Sequence, residues 1–347
     1  MLKFTTRGTP YERGFQQGRA TRALALPWME RLLADLTSRC GLQSTTRLIA
    51  QRRPHLERWR RQLKALYPEG VEECRGLAAG LGVEENAYFS LQFCYRLDGT
   101  WPQCTVLGCR DADGRALLGK SDDIYLDELG LNVLETTLPA TGFRHLHFHF
   151  AATLWTVAGM NECGLAMGMT GIPGPVLERE GLCSLAALHT VLPSCADVAA
   201  ALAHIGALRL NAGGFSLVLG DAAGTMALVE KTAAGTVVTR ERKMPLVHTN
   251  HILDPAFARR NPAPTEPLGA NGRQRYGSAL RLARAAVDPA AILAHRAGPG
   301  PICQRGEDGL HTDFAVLMAP EKKQIHLWAG YPDTTAMETL EVGALLA

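Results

Sequence analysis

The stretch from residue 103 to 123, QCTVLGCRDADGRALLGKSDD, constrains the fold more than any other part of the chain. Two short apolar runs, 104–110 and 115–121, flank the turn DADG, and an Asp-Gly pair between such runs predicts a β-hairpin. The loop Asp98–Pro102 delivers a Cys-Thr pair to the start of the first strand. A free cysteine usually serves as a small buried hydrophobe, so Cys104 needs an activating environment to act as a nucleophile.

The composition is typical of a globular protein with an ample core. Of the 347 residues, 46% are hydrophobic and 20% are charged, and the formal net charge is +2. Proteins that bind nucleic acids usually concentrate basic charge, so this balance predicts no nucleic-acid partner. One basic cluster fits the solvated face of a helix, and its members are Arg52, Arg53, Arg58, Arg60, Arg61 and Lys64.

The lack of a recognisable targeting segment, together with the cysteine content, predicts a cytoplasmic protein. The sequence shows no apolar segment of a signal peptide, and no apolar run approaches the roughly 18 residues of a membrane span. The nine cysteines are odd in number and include no CxxC pair. These features predict reduced thiols in the cytoplasm and no membrane association.

The first hundred residues are predicted to be mostly helical, and the pattern changes to strands after Trp101. Apolar residues at helical spacing between Pro10 and Cys40 predict two helices, because Pro27 lies inside the run. Further helices are predicted at 46–66, 69–81, 84–97, 184–191, after a capping box at Ser194, at 273–286 and at 289–295, with a loop at 254–270.

Strands are predicted at 104–110, 115–121, 131–138, 143–150, 153–160, 165–170, 213–220, 225–231, 235–240, 245–250, 312–318 and 324–328. Most neighbouring strands are joined by short turns, which favours antiparallel pairing. The order of elements therefore predicts an α+β protein with two mainly antiparallel sheets and helices outside them.

Four short motifs carry residues that are able to perform chemistry: Cys104-Thr105, GKSDD at 119–123, GMNECGL at 159–165 and HTNH at 248–251. Taken together and in this order, they resemble N-terminal-nucleophile (Ntn) hydrolases of the acyl-coenzyme A:6-aminopenicillanic acid acyltransferase family. The interval from Cys104 to Asp123 also resembles that of choloylglycine hydrolases and penicillin V acylases. The resemblance continues through 8–18, 73–80, 215–221 with Glu230, 302–303 and Pro332.

This resemblance implies a four-layer αββα sandwich, the Ntn hydrolase fold. It also implies that a helical N-terminal segment, 1–103, is cut from the catalytic domain, 104–347, and stays packed against it. The scissile bond would be Gln103–Cys104. The freed α-amino group, with an ordinary pKa of about 7.7–8.0, would be the base for its own thiol.

The resemblance also assigns roles to residues around the cysteine. Asp123 would orient the amine or the thiol, and Lys120 would stabilise the thiolate where relatives of the bile-salt type have an arginine. Asn250 would donate a hydrogen bond to the tetrahedral oxyanion. Arg273 matches a further active-site arginine. The substrate and oxyanion region would include Asn161, Thr170 and Thr105.

The chain departs from the family pattern at three places. Gln103 replaces the usual glycine before the cysteine, and Ser121-Asp122-Asp123 replaces the usual Asn-Trp-Asp. Thr170-Gly171 stands where relatives often have an asparagine. These departures affect the scissile bond, the residues next to the nucleophile and the second oxyanion donor, respectively.

Two alternative sites are weighed against this hypothesis. His145, His147 and His149 alternate along one strand and could bind zinc, but side chains on one strand diverge, so a polar sheet face or pocket wall is favoured and no metal or cofactor is predicted. Cys109 follows Gly108, as the family's nucleophile would, but its distance to Asp123 does not fit. Cys104 therefore remains the predicted nucleophile.

The predicted activity is attack of Cys104 on a small-molecule acyl donor, which would be an amide, a thioester or an acyl-coenzyme A. The acyl-thioester would then react with water (amidohydrolase) or with an amine (N-acyltransferase), and the sequence does not separate the two. The predicted assembly is a heterodimer of the two cleaved chains, with a homo-oligomer left open. The alternative hypothesis is an uncleaved, non-catalytic binding protein with the same fold.

Overall fold

Two β-sheets pack face to face, and the hairpin that carries Cys104 belongs to the smaller of them. In a computed structural model of the chain, residues 1–94, 103–176, 180–240, 245–261 and 268–347 are described. The predicted loop 98–102 lies outside these residues. Strands β1 to β15 and helices α1 to α11 are numbered below in chain order.

The larger sheet has nine strands within the described residues. In spatial order they are β1 (Lys3–Gly8), β4 (Asn132–Pro139), β5 (His145–Phe150), β6 (Ala158–Asn161), β7 (Ala166–Val176), β9 (Leu210–Gly220), β10 (Met226–Thr232) and β11 (Gly235–Arg240), and β8 (Leu182–Cys183) pairs with β9. The pairs β1–β4 and β8–β9 are parallel, and the others are antiparallel.

The smaller sheet contains the nucleophile hairpin and is antiparallel throughout. Its order is β12 (Leu246–His248), β2 (Gln103–Arg110), β3 (Ala116–Tyr125), β13 (Leu310–Ala319), β14 (Gln324–Trp328) and β15 (Glu338–Glu341). Strands β2 and β3 contact β7 and β9 of the larger sheet. The two sheets therefore enclose a common core, which includes Val106, Leu118, Met169 and Val218.

Helices cover the outer faces of both sheets. They are α1 (Pro10–Arg39), α2 (Thr45–Leu66), α3 (Pro68–Leu81), α4 (Glu85–Cys94), α5 (Ser184–His189), α6 (Val191–Ser194), α7 (Val198–Ala207), α8 (Pro255–Ala258), α9 (Leu268–Arg284), α10 (Pro289–Leu293) and α11 (Val342–Leu345). Helices α1 and α5 to α7 contact the larger sheet, whereas α9 and α10 contact the smaller one. The predicted four-layer αββα class, with a helical N-terminal segment, is confirmed. None of the described helices combines the length and apolar character needed to cross a bilayer.

The hairpin of β2 and β3 has the predicted strands and turn. The Asp111 carboxylate accepts hydrogen bonds from the main-chain N–H groups of Asp113 and Arg115, and Gly114 has a φ of +79°. A positive φ favours glycine, which explains the Asp-Gly signal. The register places Cys104 directly opposite Asp122.

Several local predictions are wrong for identifiable reasons. Pro27 does not divide α1, because it lies on the exposed side of a helix that has buried residues both before it, at Ala25, and after it, at Trp28. Tertiary packing there outweighs the roughly 3 kcal/mol that an interior proline costs. Helix α7 starts at Val198 rather than at a capping box of Ser194, since Asp197 caps it by accepting from the N–H of Ala200.

Candidate active site

Cys104 is the second residue of β2 and is almost fully buried, at 4% exposure. Its main-chain N–H donates to Asn250 Oδ1 at 2.8 Å, and its thiol donates to Asp122 Oδ1 at 3.5 Å. Asn250 follows β12, which pairs with β2 through His248 and Val106. The sheet pairing therefore brings three of the four sequence motifs, from different parts of the chain, to one point.

Lys120 lies on the same face of the hairpin as Cys104 and Asp122. Its Nζ is 2.8 Å from Asp122 Oδ1 and donates to the carbonyl oxygen of Met169 at 2.9 Å, and the side chain is fully buried. Burial disfavours the ammonium, but Asp122 and the thiol of Cys104 outweigh this effect and raise the pKa of Lys120. The site therefore holds a positive charge beside the thiol.

The thiol of Cys104 is protonated in the intact chain. Burial raises its pKa to about 12, the charge of Lys120 lowers it, and the carboxylates of Asp122 and Asp123 raise it. Because only the thiolate is a strong nucleophile, the site requires a group that accepts the thiol proton.

Asp123 faces the other side of the hairpin. Its Oδ1 accepts from the hydroxyl of Thr312 at 2.6 Å, and its Oδ2 is 3.7 Å from Nη1 of Arg275. Burial raises the pKa of Asp123 to about 6, although Arg275 and Thr312 lower it. The predicted role of orienting the thiol corresponds better to Asp122, whose carboxylate contacts the sulfur, because residues at successive strand positions point to opposite faces.

Arg275 is the arginine of this site. Its guanidinium is fully buried and donates to the carbonyl oxygen of Cys104 at 2.6 Å, to Thr105 Oγ1 at 2.8 Å, to Gln103 Oε1 at 3.0 Å and to Asn250 Oδ1 at 3.2 Å. Asn271 accepts from its Nε at 2.6 Å and fixes its direction. One side chain thus contacts both residues of the predicted scissile bond.

The structure places Arg275, rather than the predicted Arg273, against Cys104. Arg273 lies on α9, as predicted, but it is exposed, whereas Asn271 and Arg275 are buried. Positions two apart on a helix differ by roughly 200° around the axis, so they cannot face the same site. The buried residues Asn271, Arg275, Ser278 and Ala279 have helical i, i+4, i+7, i+8 spacing, which is the sequence signal for the face that carries Arg275.

Replacing Arg275 by alanine should destabilise the fold by about 3–5 kcal/mol, because it leaves the buried carboxylate of Asp123 without its cation. The matched variant Arg273→Ala should change the unfolding free energy by no more than about 0.5 kcal/mol, as for most exposed positions. Urea denaturation of both variants measures the difference. Equal losses would show that the burial pattern of α9 does not identify the site arginine.

Asn250 lies beside Thr170 and Gly171, near the middle of β7. Asn250 Nδ2 donates to the carbonyl oxygen of Gly171 at 2.9 Å, and the Thr170 hydroxyl donates to the carbonyl oxygen of Thr249. In the intact chain, Asn250 therefore accepts a hydrogen bond from the nitrogen of the predicted scissile bond. Its predicted donation to an oxyanion remains a prediction for the cleaved form.

Asn161 is not part of this group of residues. Its side chain donates to the carbonyl oxygens of Leu192 at 2.9 Å and Cys195 at 2.7 Å and accepts from the N–H groups of Cys163 and Leu165, so it stabilises a turn. That turn precedes Ala166, the first residue of β7, and Thr170 lies about 13 Å further along this strand. The placement of Asn161 in the substrate region therefore needs correction.

Cys109 lies five residues further along β2 and is half-buried. Burial raises its pKa to about 12, and the carboxylates of Asp288 and Asp111 raise it too. Cys104 has a similar pKa but also has Lys120 beside it. The surroundings therefore favour Cys104 as the nucleophile.

The three strand histidines belong to a buried polar network on the opposite face of the larger sheet, under α1. The rings of His147 and His149 stack with their centroids 4.7 Å apart, and both approach Glu135, so these side chains converge rather than diverge. With Glu135 they form a cluster whose ligand atoms lie within 4.8 Å of one another, close enough for a metal ion. Hydrogen bonds already engage these atoms, because Glu135 accepts from Thr6 and Thr137 and lies 3.0 Å from His149 Nε2.

The site combines a buried thiol, a cation, two carboxylates and an amide that holds the adjacent backbone nitrogen. Such a set is suited to nucleophilic attack on an acyl carbon once the thiol proton is removed. A model of the family described as acyl-coenzyme A:6-aminopenicillanic acid acyl-transferase matches residues 109–279. The matched region includes Lys120, Asp123, Asn250 and Arg275 and begins five residues after Cys104. This match confirms the family resemblance of the sequence motifs.

Many solved structures are similar to the chain. Penicillin V acylase from Agrobacterium tumefaciens is 17% identical, with 68% of this chain and 86% of that chain covered and a TM-score of 0.47. The N-acylethanolamine-hydrolyzing acid amidase ortholog of Caenorhabditis elegans is 12% identical, with 68% and 100% covered and a TM-score of 0.48. A mutant of the conjugated bile acid hydrolase from Clostridium perfringens is 14% identical, with 68% and 96% covered and a TM-score of 0.45.

Proposed function

Because a model of the acyl-coenzyme A:6-aminopenicillanic acid acyl-transferase family matches residues 109–279, we propose that the chain is a self-processing cysteine acyltransferase or amidohydrolase. The chain cuts its own Gln103–Cys104 bond and then forms an acyl-thioester on Cys104. The acyl donor is a small amide, thioester or acyl-coenzyme A, and the acceptor is an amine or water.

One observation carries this proposal. The backbone nitrogen of Cys104, which becomes the α-amine after cleavage, is already held at 2.8 Å by Asn250 Oδ1, while the thiol of the same residue lies beside Lys120 and Asp122. The thiol and the nitrogen of Cys104 are therefore both held in place before cleavage. After cleavage this nitrogen becomes the α-amine that serves as the base. This arrangement is what the Ntn mechanism requires.

In the cleaved form, the α-amine of Cys104 accepts the thiol proton, and the thiolate attacks the acyl carbon of the donor. Lys120 offsets the negative charge on the sulfur at this stage. The ammonium then returns its proton to the leaving amine or thiol, and the acyl group stays on the sulfur. An amine or water attacks this thioester in the second half-reaction, with the α-amine again acting as base.

The N-terminal segment 1–103 is proposed to stay bound after cleavage. Strand β1 pairs with β4 over six residues, and α1 packs on both. Arg13 and Glu73 of this segment form a buried ion pair at 3.1 Å, and Glu73 also bonds His189 of the 104–347 part at 3.1 Å. Separation of the two chains would break both the β1–β4 pairing and the Glu73–His189 hydrogen bond, which join this segment to the rest of the protein.

An uncleaved binding protein is the second candidate, and Gln103 favours it. This residue is 1% exposed, forms the first rung of the β2–β3 ladder opposite Asp123, and has its side chain bound by Arg275. The bond that must break is thus part of a well-ordered strand. The intact mass of the purified protein separates the two candidates, because two chains that meet at residue 104 are expected only of the enzyme.

The acyl group itself can be identified by incubating the cleaved protein with a panel of amides, thioesters and acyl-coenzyme A compounds. A mass increment on the 104–347 chain that hydroxylamine removes is the expected signature of an acyl-thioester. If no donor acylates the cleaved protein, the proposed activity is wrong even though the chain is processed.

Asn250→Ala should lower the acylation rate about 10²–10³-fold and leave KM nearly unchanged if Asn250 donates to the oxyanion. Asn250→Asp tests the direction of the hydrogen bond, because it keeps the acceptor oxygen that bonds the Cys104 nitrogen and removes the donor N–H. An oxyanion donor predicts that both variants are slow. An active Asn250→Asp variant would instead make Asn250 an acceptor for the α-amine.

A further inference from the structure

Self-cleavage needs a base other than the α-amine, which serves as the base only in turnover. In the intact chain the nitrogen of Cys104 is an amide, so it cannot accept the thiol proton. Burial raises the pKa of this thiol to about 12, and little thiolate therefore forms spontaneously. Another group must accept the proton before the first α-amine is released.

Asp122 occupies the position that such a group requires. It lies directly opposite Cys104 in the β2–β3 register, its Oδ1 is 3.5 Å from the sulfur, and the residue is 3% exposed. Its other oxygen, Oδ2, accepts from Asn132 Nδ2 at 2.9 Å, which holds the carboxylate in place. The thiol therefore already donates its hydrogen bond to a fixed carboxylate oxygen.

The other titratable groups near Cys104 have different partners. Lys120 has a raised pKa and stays an ammonium, so it cannot act as a base. Asp123 bonds Thr312 and faces Arg275 on the opposite side of the hairpin. His248 lies 2.9 Å from Glu230 through its Nε2, and its Nδ1 contacts the carbonyl oxygen of Thr249.

We propose that Asp122 is the catalytic base of self-cleavage, a role that rests on the proposed self-processing of the chain. The thiol proton moves to Asp122 Oδ1, and the sulfur bonds to the carbonyl carbon of Gln103. The bond between that carbon and the nitrogen of Cys104 breaks, and Asp122 gives the proton to the nitrogen, which becomes the α-amine. Water then hydrolyses the thioester, which leaves the Gln103 carboxylate and the free thiol.

Lys120 and Asp122 have different roles in this step, since Asp122 accepts the proton and Lys120 stabilises the thiolate. Asp122 becomes neutral when it accepts the proton, and the ammonium of Lys120, 2.8 Å from the same oxygen, then faces the new thiolate. The ammonium of Lys120 thus pairs with the carboxylate before the step and with the thiolate after it, and the net charge of the site does not change. The transfer from a weakly acidic thiol to a carboxylate is uphill, but each chain performs it only once, so a slow rate suffices.

Asp313 provides a matched control for Asp122. It accepts from the same Asn132 Nδ2, at 2.9 Å, and from the N–H of Gly130, and it has no contact with Cys104 among the described residues. Replacing either aspartate by asparagine removes one carboxylate from the same hydrogen-bonded group. Only Asp122→Asn also removes the proton acceptor of the thiol.

The experiment follows cleavage after synthesis of the chain in a cell-free system, with intact mass as the readout. Asp122→Asn should be cut at least about 10²-fold more slowly than the wild type, as expected for loss of a general base, and Asp313→Asn should stay within about threefold. Asp122→Glu, which restores a carboxylate, should recover part of the rate. Thermal unfolding of each variant checks that it is folded.

Two results would overturn the role of Asp122. One is wild-type cleavage of Asp122→Asn, and the other is equal slowing of Asp313→Asn. If Asp122→Asn fails to fold, the folded Asp122→Glu variant decides, because an uncut chain with the carboxylate present would contradict the proposal. Failure of the wild-type chain to cleave at all would instead overturn the proposed function, which separates the two claims.

Discussion

Cys104→Ala is expected to leave a single chain of 347 residues that neither cleaves itself nor forms an acyl-thioester. The sulfur is the attacking atom of both self-cleavage and turnover, so its removal abolishes both rather than slowing them. Alanine fits the site, because it is smaller than cysteine and keeps the main-chain N–H that Asn250 accepts. Intact mass after purification and an acylation assay measure the two losses.

Cys109→Ala is the control for this variant. Cys109 lies on the same strand but five positions from Cys104 and therefore on the opposite face, so its loss should leave cleavage and acylation intact. A Cys104→Ala chain that is still cut between residues 103 and 104 would show that an external protease makes the cut. The self-processing hypothesis would then be wrong.

The parts of the site that could be predicted from the sequence lie on one hairpin. Its turn sets the register, because pairing Arg110 with Ala116 fixes the pairing of Cys104 with Asp122 six residues further along. Lys120 lies on the same face for the same reason. The predicted runs 104–110 and 115–121 would place Ser121 opposite Cys104, and the family pattern indicates Asp123, so the one-residue difference in register is what hid Asp122 from the sequence analysis.

The sequence did not identify Arg275 as the site arginine, because the direction of a helical side chain depends on where the helix begins and which face is buried. Helix α9 begins at Leu268, five residues before the predicted start, in a segment with few apolar residues to define its phase. The contact between α9 and β2 is also long-range. Local sequence therefore located the helix but not its buried face, and Arg273, which the family resemblance indicates, lies at an exposed position.

Strand β1 shows the same limit at the level of the fold. Its partner β4 lies about 130 residues away, and six residues at the start of a helical region give no sign of this pairing. The strand makes the N-terminal segment part of the larger sheet. This pairing supports the proposal that residues 1–103 stay bound after cleavage.

The acidic limb of kcat/KM should follow an amine pKa of roughly 7–8, because the hypothesis requires the neutral α-amine of Cys104 as base. Below this pKa the amine is protonated and cannot accept the thiol proton, so activity falls as the pH falls. Burial would move the limb to lower pH, since it disfavours the ammonium. Initial rates across the pH range, measured on fully cleaved protein, give the position of the limb.

If His251 rather than the α-amine were the base, the pH profile would differ. Burial lowers the pKa of His251 to about 4, so a limb near pH 4 that disappears in His251→Ala would make this imidazole the base. A limb that stays near pH 7–8 in His251→Ala supports the amine. A separate preparation of uncut chain is the second control, since it carries the same thiol with its nitrogen still joined to Gln103. It should show no turnover, and full turnover from uncut chains would exclude the α-amine as the base.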